Sequence, residues 1–421
     1  MNHKTLIFHS LVSRIFFISI CTISHFLLKH YDLSTNLNES KSMFTSLLKW
    51  DAVHFRDITM NGYLQEHTFA FFPLLPYVVR CFYTFLNGPL VFFGLEKHFD
   101  FDQFTVGILI INLIFIINSL LLYKLTLFIF DLELAKFTFY LYIFNPASII
   151  CSSMYTETLF MLLFLIGLFF VIKQKEIQCT FILSISVLCR SNGLLFCILL
   201  FYFKWSLIHL IVFLIPIGFF QLYVLEKIMS FRIFPDLKSY LEVFGDTHNL
   251  TLDDKKALDT FEYKENLISV SEAVTFSSKS PLLFFKKMKI VIPYSFVQKK
   301  YWNQGFLNFF NIPNIPNVLI GLPFILFTFY ILLVNDLKCK NNTLILKNLK
   351  ILLFLKTILA CFFFHWNMYF RLISFNPFLY WSIAKMYLKG KHSAYFILYL
   401  KYYFAFSVSY AILFGAFYPP A

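Results

Sequence analysis

The sequence predicts an all-α, polytopic membrane protein, and three observations carry that expectation. The 421 residues are 59% hydrophobic and only 14% charged, whereas soluble domains carry about 25% charge. Mean hydropathy is +0.69. Apolar runs close to the roughly 20 residues that cross a bilayer follow one another along the whole chain. The 59 phenylalanines against 12 glycines read as compositional bias in a membrane that accepts any apolar side chain.

Taken in order, the runs predict helices over residues 8–29, 69–86, 104–130, 137–154, 158–172 and 207–224. One further helix is predicted up to about residue 334, another over 351–370, and a final span closes the chain. Two short apolar pieces between 180 and 203 flank Arg190-Ser191-Asn192-Gly193, a turn expected to dip into protein-lined space. The expected total is about eight or nine spans, with 87–136 the stretch whose parity the sequence leaves open. The chain therefore reads as one polytopic domain, with a first lumenal loop at 31–68 and a larger lumenal region at 225–312. The N-terminal run lacks a small-residue cleavage site and reads as a retained helix.

Lys4 and Arg14 place the N-terminus in the cytosol by the positive-inside bias. Lysines at 173, 175, 204, 385, 389 and 391 mark further cytosolic turns. The segment 225–280 carries ten acidic against seven basic residues, which suits the opposite face. Sequons stand at Asn38, Asn249 and Asn341, the last in a lysine-rich cytosolic stretch where it goes unused. By this count Asp51, the Arg190 turn, Trp302-Asn303 and Arg371 share one side of the membrane.

A net charge of +13 is spread through short loops and forms no patch for nucleic acid. The eight cysteines lie mostly inside apolar runs with no CxxC pair, so they read as small buried hydrophobes. No nucleotide-phosphate or zinc-hydrolase motif occurs in the polar segments.

The densest polar cluster is LLKWDAVHFRDITMNGYLQEHTFAFFP, residues 47–73. Asp51 follows Trp50, and His54 stands three residues on, sharing a face if the segment is helical. A carboxylate there suits a base that takes a proton from an attacking hydroxyl; the competing reading is that Asp51 caps a surface helix. Glu66-His67 stands where the chain re-enters the bilayer and suits interfacial anchoring or phosphate contact. Tyr155-Thr156-Glu157 interrupts an apolar run, and a glutamate there needs a partner or a cavity. Arg190 and Arg371 are candidates for a lipid phosphate, since guanidinium pairs bidentately with one; interfacial snorkelling is the plainer alternative. Trp302-Asn303, behind Tyr301, offers an aromatic plane beside an amide, as sugar sites do.

WDAVHF (50–55), NGYLQEHTFAFFP (61–73), FNPASIICSSMYTETLF (144–160), RSNGLL (190–195) and YWNQGFLNFFNIPNIPN (301–317) resemble the signature segments of the GPI mannosyltransferase 2 family, the PIG-V-like enzymes. RLISFNPFLYW (371–381) resembles their C-terminal segment more weakly. The chain departs from the pattern at Val53 and Gln65, both peripheral to Asp51. The resemblance implies a GT-C bundle in the endoplasmic-reticulum membrane that adds the second mannose, in α-1,6 linkage, to the GPI precursor in the lumen. The implied donor is dolichyl-phosphate-mannose, and fungal members are expected to work with a small accessory membrane protein; no cofactor is expected and no metal ligands are assigned, and the sequence leaves metal dependence open.

On that basis Asp51 is the expected base and His54 its support. Arg190, Arg371 and His67 are assigned to the donor phosphate, and Trp50, Glu66, Tyr155, Glu157, Trp302 and Asn303 to acceptor and sugar. The rival readings are another GT-C transferase with a lipid-phosphate-sugar donor, a glycolipid transporter or scramblase, and a catalytically idle scaffold. Against a transporter, the sequence has no internal repeat with facing broken helices.

Overall fold

The computed structural model describes residues 1–31, 44–92, 102–203, 206–243, 293–334, 337, 343–390 and 393–418. Most of the polar segment 225–312 and the sequons at Asn38 and Asn249 lie outside these residues, as do Asn341 and Asn342. The described regular structure is helical, and no strand occurs in it.

The helices are α1 (His3–Leu27), α2 (Asp51–Asn61), α3 (Leu74–Phe92), α4 (Gln103–Ile129), α5 (Leu132–Ile143), α6 (Thr156–Ile172), α7 (Glu176–Val187) and α8 (Cys197–Leu200). They continue with α9 (Ser206–Val243), α10 (Pro293–Trp302), α11 (Ile315–Val334), α12 (Thr343–Phe363), α13 (Tyr369–Ile373), α14 (Pro377–Leu388) and α15 (Ala394–Gly415). Several starts are written locally. Asp102 and Asp131 accept the Thr105 and Leu134 N–H groups at 2.8 and 2.9 Å, satisfying donors that a helix N-terminus leaves open.

Among the described residues, five helical stretches are long and apolar enough to cross a membrane: His3–Leu27, Gln103–Ile129, Ser206–Lys227, Ile312–Val334 and Ala394–Gly415. Their outer faces carry exposed Phe26, Phe219 and Leu333, which suit lipid and not water. The chain is thus an all-helical polytopic membrane protein. Within the open stretch 87–136, residues 103–129 form a single unbroken helix.

Three expectations change, the first being the helix over 351–370: α12 ends at Phe363, and the turn Trp366–Met368 separates it from α13. The run 137–154 is not one helix: α5 stops at Ile143, because Asn145 turns its side chain onto the Ala147 N–H at 2.8 Å and Pro146 cannot continue the ladder. Arg14 is not a flanking cation but is 2% exposed inside the protein. Its guanidinium donates to the carbonyls of Ser148 (2.7 Å) and Ile143 (2.9 Å) and to Ser152 Oγ (2.9 Å), and lies 3.6 Å from the centre of the Phe115 ring. It is therefore a clamp on the segment that leads into α6, and its weight as a topology marker is lost; Lys4 stays exposed.

The described chain forms two compact units, one of Met1–Leu64, Phe71–Ile217 and Gln304–Ala421, the other of Gln65–Ala70 and Gly218–Asn303. In the first, α1 packs along α15, and α4 packs on α5 and α6. Small residues permit the tightest approaches: a Cβ at Gly321 would overlap the Trp366 carbonyl, and one at Gly415 the Cys21 carbonyl. Side-chain hydrogen bonds pin the packing where the bilayer offers no polar partner. Trp381 Nε1 donates to Thr126 Oγ1 at 2.7 Å, and Tyr403 Oη to the Leu141 carbonyl at 2.8 Å. In the second unit, α10 packs on the short turn Glu66–Ala70.

Candidate active site

Asp51 opens α2 from a constrained position. Trp50 before it holds φ 51° and ψ −122°, a region that side chains with a Cβ rarely enter, and its indole sits 5.0 Å from the Phe417 ring. The Asp51 N–H donates to Tyr155 Oη at 3.2 Å, and that hydroxyl donates to the Lys49 carbonyl at 3.1 Å. Tyr155 is fully buried, so the start of α2 is stapled to the segment before α6. Asp51 is the first residue of the helix and its carboxylate does not cap it, which sets aside the capping reading.

The carboxylate reaches across to α13. Arg371 Nη2 donates to Asp51 Oδ2 at 2.7 Å, and Arg371 Nε donates to Glu157 Oε1 at 2.8 Å. The same guanidinium lies 4.9 Å from the Tyr155 ring centre. Glu157 stands in the first turn of α6, where the helix dipole favours an acid. Arg190, just before the turn Ser191–Phe196, meets Glu157 Oε1 at 2.6 Å and donates to Thr156 Oγ1 at 3.1 Å.

The result is a chain of alternating charge, Asp51–Arg371–Glu157–Arg190, formally neutral as a set. Its inner members are closed off, with the Arg371 and Glu157 side chains each 3% exposed, whereas Arg190 is 18% and Asp51 33% exposed. Burying such charges is tolerable only with this degree of pairing. Of the two carboxylates, only Asp51 is open to a substrate. Arg371 holds one of its oxygens, and Oδ1 takes no hydrogen bond among the described residues.

The other sequence candidates fall into place around these facts. His54 lies one turn along α2 with its ring stacked on Phe71 at 4.6 Å. Arg371, expected at a donor phosphate, has its strong hydrogen bonds taken by the two carboxylates. Glu66 and His67 belong to the second unit. There Glu66 Oε2 accepts from Lys300 Nζ at 2.9 Å and Tyr301 Oη at 3.4 Å, and the His67 ring lies 5.7 Å from that of Tyr301. Trp302 ends α10 in the same unit, followed by Asn303 at φ 49°. Two lysines that the sequence did not single out are buried among the described residues, Lys49 and, on α12, Lys356; for Lys356 a lysine inside the run ILLFLKTILACFF was the available signal.

An all-helical membrane body that holds one reachable carboxylate on a buried, counter-charged arginine has the form of a membrane-embedded enzyme. Residues 27–347 match the family model described as Mannosyltransferase (PIG-V). The chain belongs to that family and is a mannosyltransferase. It is 29% identical to GPI mannosyltransferase 2 of Schizosaccharomyces pombe, over 91% of this chain and 75% of the relative. With the protein of that name from Yarrowia lipolytica it shares 26% identity over 93% of each chain. With that of Drosophila pseudoobscura it shares 30% over 67% of this chain and 62% of the relative.

Proposed function

We propose that this mannosyltransferase adds the second mannose, in α-1,6 linkage, to the GPI-anchor precursor, taking the sugar from dolichyl-phosphate-mannose. The site faces the endoplasmic-reticulum lumen in this reading, and a small accessory membrane protein is its expected partner. Support comes from relatives named GPI mannosyltransferase 2 that align along most of the chain. The observation that carries the chemistry is the asymmetry of the charged chain: Glu157 is sealed, while Asp51 is one-third exposed with one oxygen held by Arg371 at 2.7 Å.

A β-linked phosphosugar that yields an α-glycoside inverts at C1, so one displacement and one base suffice. The acceptor oxygen bonds to C1 as its proton passes to Asp51. The C1–O bond to phosphate breaks, and the electron pair leaves with dolichyl phosphate. Arg371 acts here as a positioning residue that fixes the carboxylate's rotamer, and Glu157 balances its charge. Trp50 beside Asp51 is assigned to the acceptor; Glu66, Trp302 and Asn303, in the second unit, keep a separate acceptor assignment that rests on the sequence. Fixed cations of the chain meet the phosphate's charge.

The test is transfer of labelled mannose from dolichyl-phosphate-mannose to a mono-mannosylated GPI acceptor, in membranes with and without the chain. Transfer that depends on the chain, with a product cleaved by an α-1,6-specific mannosidase, is expected. Transfer that persists without the chain, or a product of another linkage, contradicts the reading.

A further inference from the structure

We propose that Lys356 is the cation that receives the phosphate of the lipid-linked donor, in a recess it shares with Asn192. The assignment rests on the donor reading above and names a residue for it.

Lys356 projects from α12 and is 4% exposed. Its Nζ donates to the Leu372 carbonyl at 3.1 Å and lies 3.7 Å from the Phe375 ring centre and 5.3 Å from that of Phe160. An ammonium has three donors, and among the described residues this one meets a single acceptor and no carboxylate. Arg14, by comparison, meets four acceptors of its own. An ammonium in apolar surroundings with so few partners is disfavoured until an anion arrives to meet it.

The recess is lined by Lys356, Asn192, Leu195, Leu359, Phe364 and Leu372. Asn192 stands two residues after Arg190 on the turn Ser191–Phe196, and that turn packs against α12, which carries Lys356. The recess is thereby tied to the same charged chain that ends at Asp51. A cation and an amide among leucine and phenylalanine suit an anion carried on hydrocarbon, which is what a prenyl phosphosugar presents.

The charges also add up. Asp51, Arg371, Glu157 and Arg190 sum to zero, so they offer no net attraction to an anion; Lys356, protonated as the anion binds, adds one positive charge. A sugar phosphodiester carries one negative charge. When the bond from C1 breaks, a second negative charge develops on the departing phosphate oxygen, and a fixed ammonium lowers the barrier most where charge develops.

The experiment uses the full chain in membranes, with steady-state kinetics for donor and acceptor separately. Lys356→Met keeps the length and removes the charge; Lys356→Arg keeps the charge. We expect the Met variant to raise the donor KM by about tenfold or more and to leave the acceptor KM within about twofold. The Arg variant recovers most of that loss, and Asn192→Ala gives a smaller rise of about threefold in donor KM. A measurement independent of turnover is thermal protection of the detergent-solubilised chain by dolichyl phosphate, expected for wild type and lost in Lys356→Met. An unchanged donor KM in Lys356→Met, or protection equal to wild type, overturns the assignment while leaving the donor reading intact. Wild-type membranes that draw mannose from a soluble nucleotide sugar overturn both.

Discussion

Two arginines are buried among the described residues, and they are satisfied in opposite ways. Arg14 is held by two carbonyls, two serine hydroxyls and the face of Phe115, all neutral. Arg371 is held by two carboxylates, one sealed and one reachable. A neutral cage uses a cation to tie backbone together, here the stretch between α5 and α6. A charged cage uses it to fix a carboxylate that something else can touch. The two cages are neighbours in the chain's logic, because the segment Arg14 clamps leads directly to Tyr155 and Glu157.

The contrast breaks most sharply at Arg371. Replacing it by Met strands two carboxylates in low dielectric, so Arg371→Met is expected to destabilise by about 3–5 kcal/mol and to reduce transfer below detection. The checks are the chain's level in the membrane and the mannosylation assay on equal amounts of chain. Arg14→Met leaves only neutral acceptors unmet, at a cost of about 1–3 kcal/mol. Its thermal midpoint in detergent should fall, while turnover per folded molecule stays within about twofold of wild type. A turnover loss in Arg14→Met as deep as in Arg371→Met erases the distinction between the cages.

The smallest effect is expected at the surface pair in the second unit. Glu66 and Lys300 meet at 2.9 Å with side chains 18% and 39% exposed, and such pairs contribute about 0–1 kcal/mol. Lys300→Met should leave the thermal midpoint almost unmoved. Acceptor KM in that variant then reports whether Glu66 contacts the glycolipid, with a rise expected from the acceptor assignment.

Fold class and the long helices were legible because hydrocarbon runs state their own length: 104–130 was expected and Gln103–Ile129 is observed. The stretch after Ile143 was not legible. Its small and apolar residues read like a membrane span, yet Asn145-Pro146 ends the helix, and the following turns wrap onto Arg14 from a distant helix. Asp51, Glu157, Arg190 and Arg371 were each visible as charges in costly places. Their pairing was not, since Asp51 and Arg371 stand 320 positions apart and meet only through helix packing. Arg371, expected at a phosphate, is bonded to two carboxylates, and the proposed mechanism makes it a positioning residue. Lys356 was hidden inside a run whose hydropathy it barely lowers.

The central claim is that the one reachable carboxylate of the charged chain is the base. Asp51→Asn keeps the shape, and the amide oxygen can still accept from Arg371. With labelled dolichyl-phosphate-mannose and the mono-mannosylated acceptor, mannose transfer by that variant should fall by about 10²–10⁴-fold while the chain accumulates in the membrane as wild type does. Transfer at the wild-type rate by a normally accumulated Asp51→Asn chain would contradict the account.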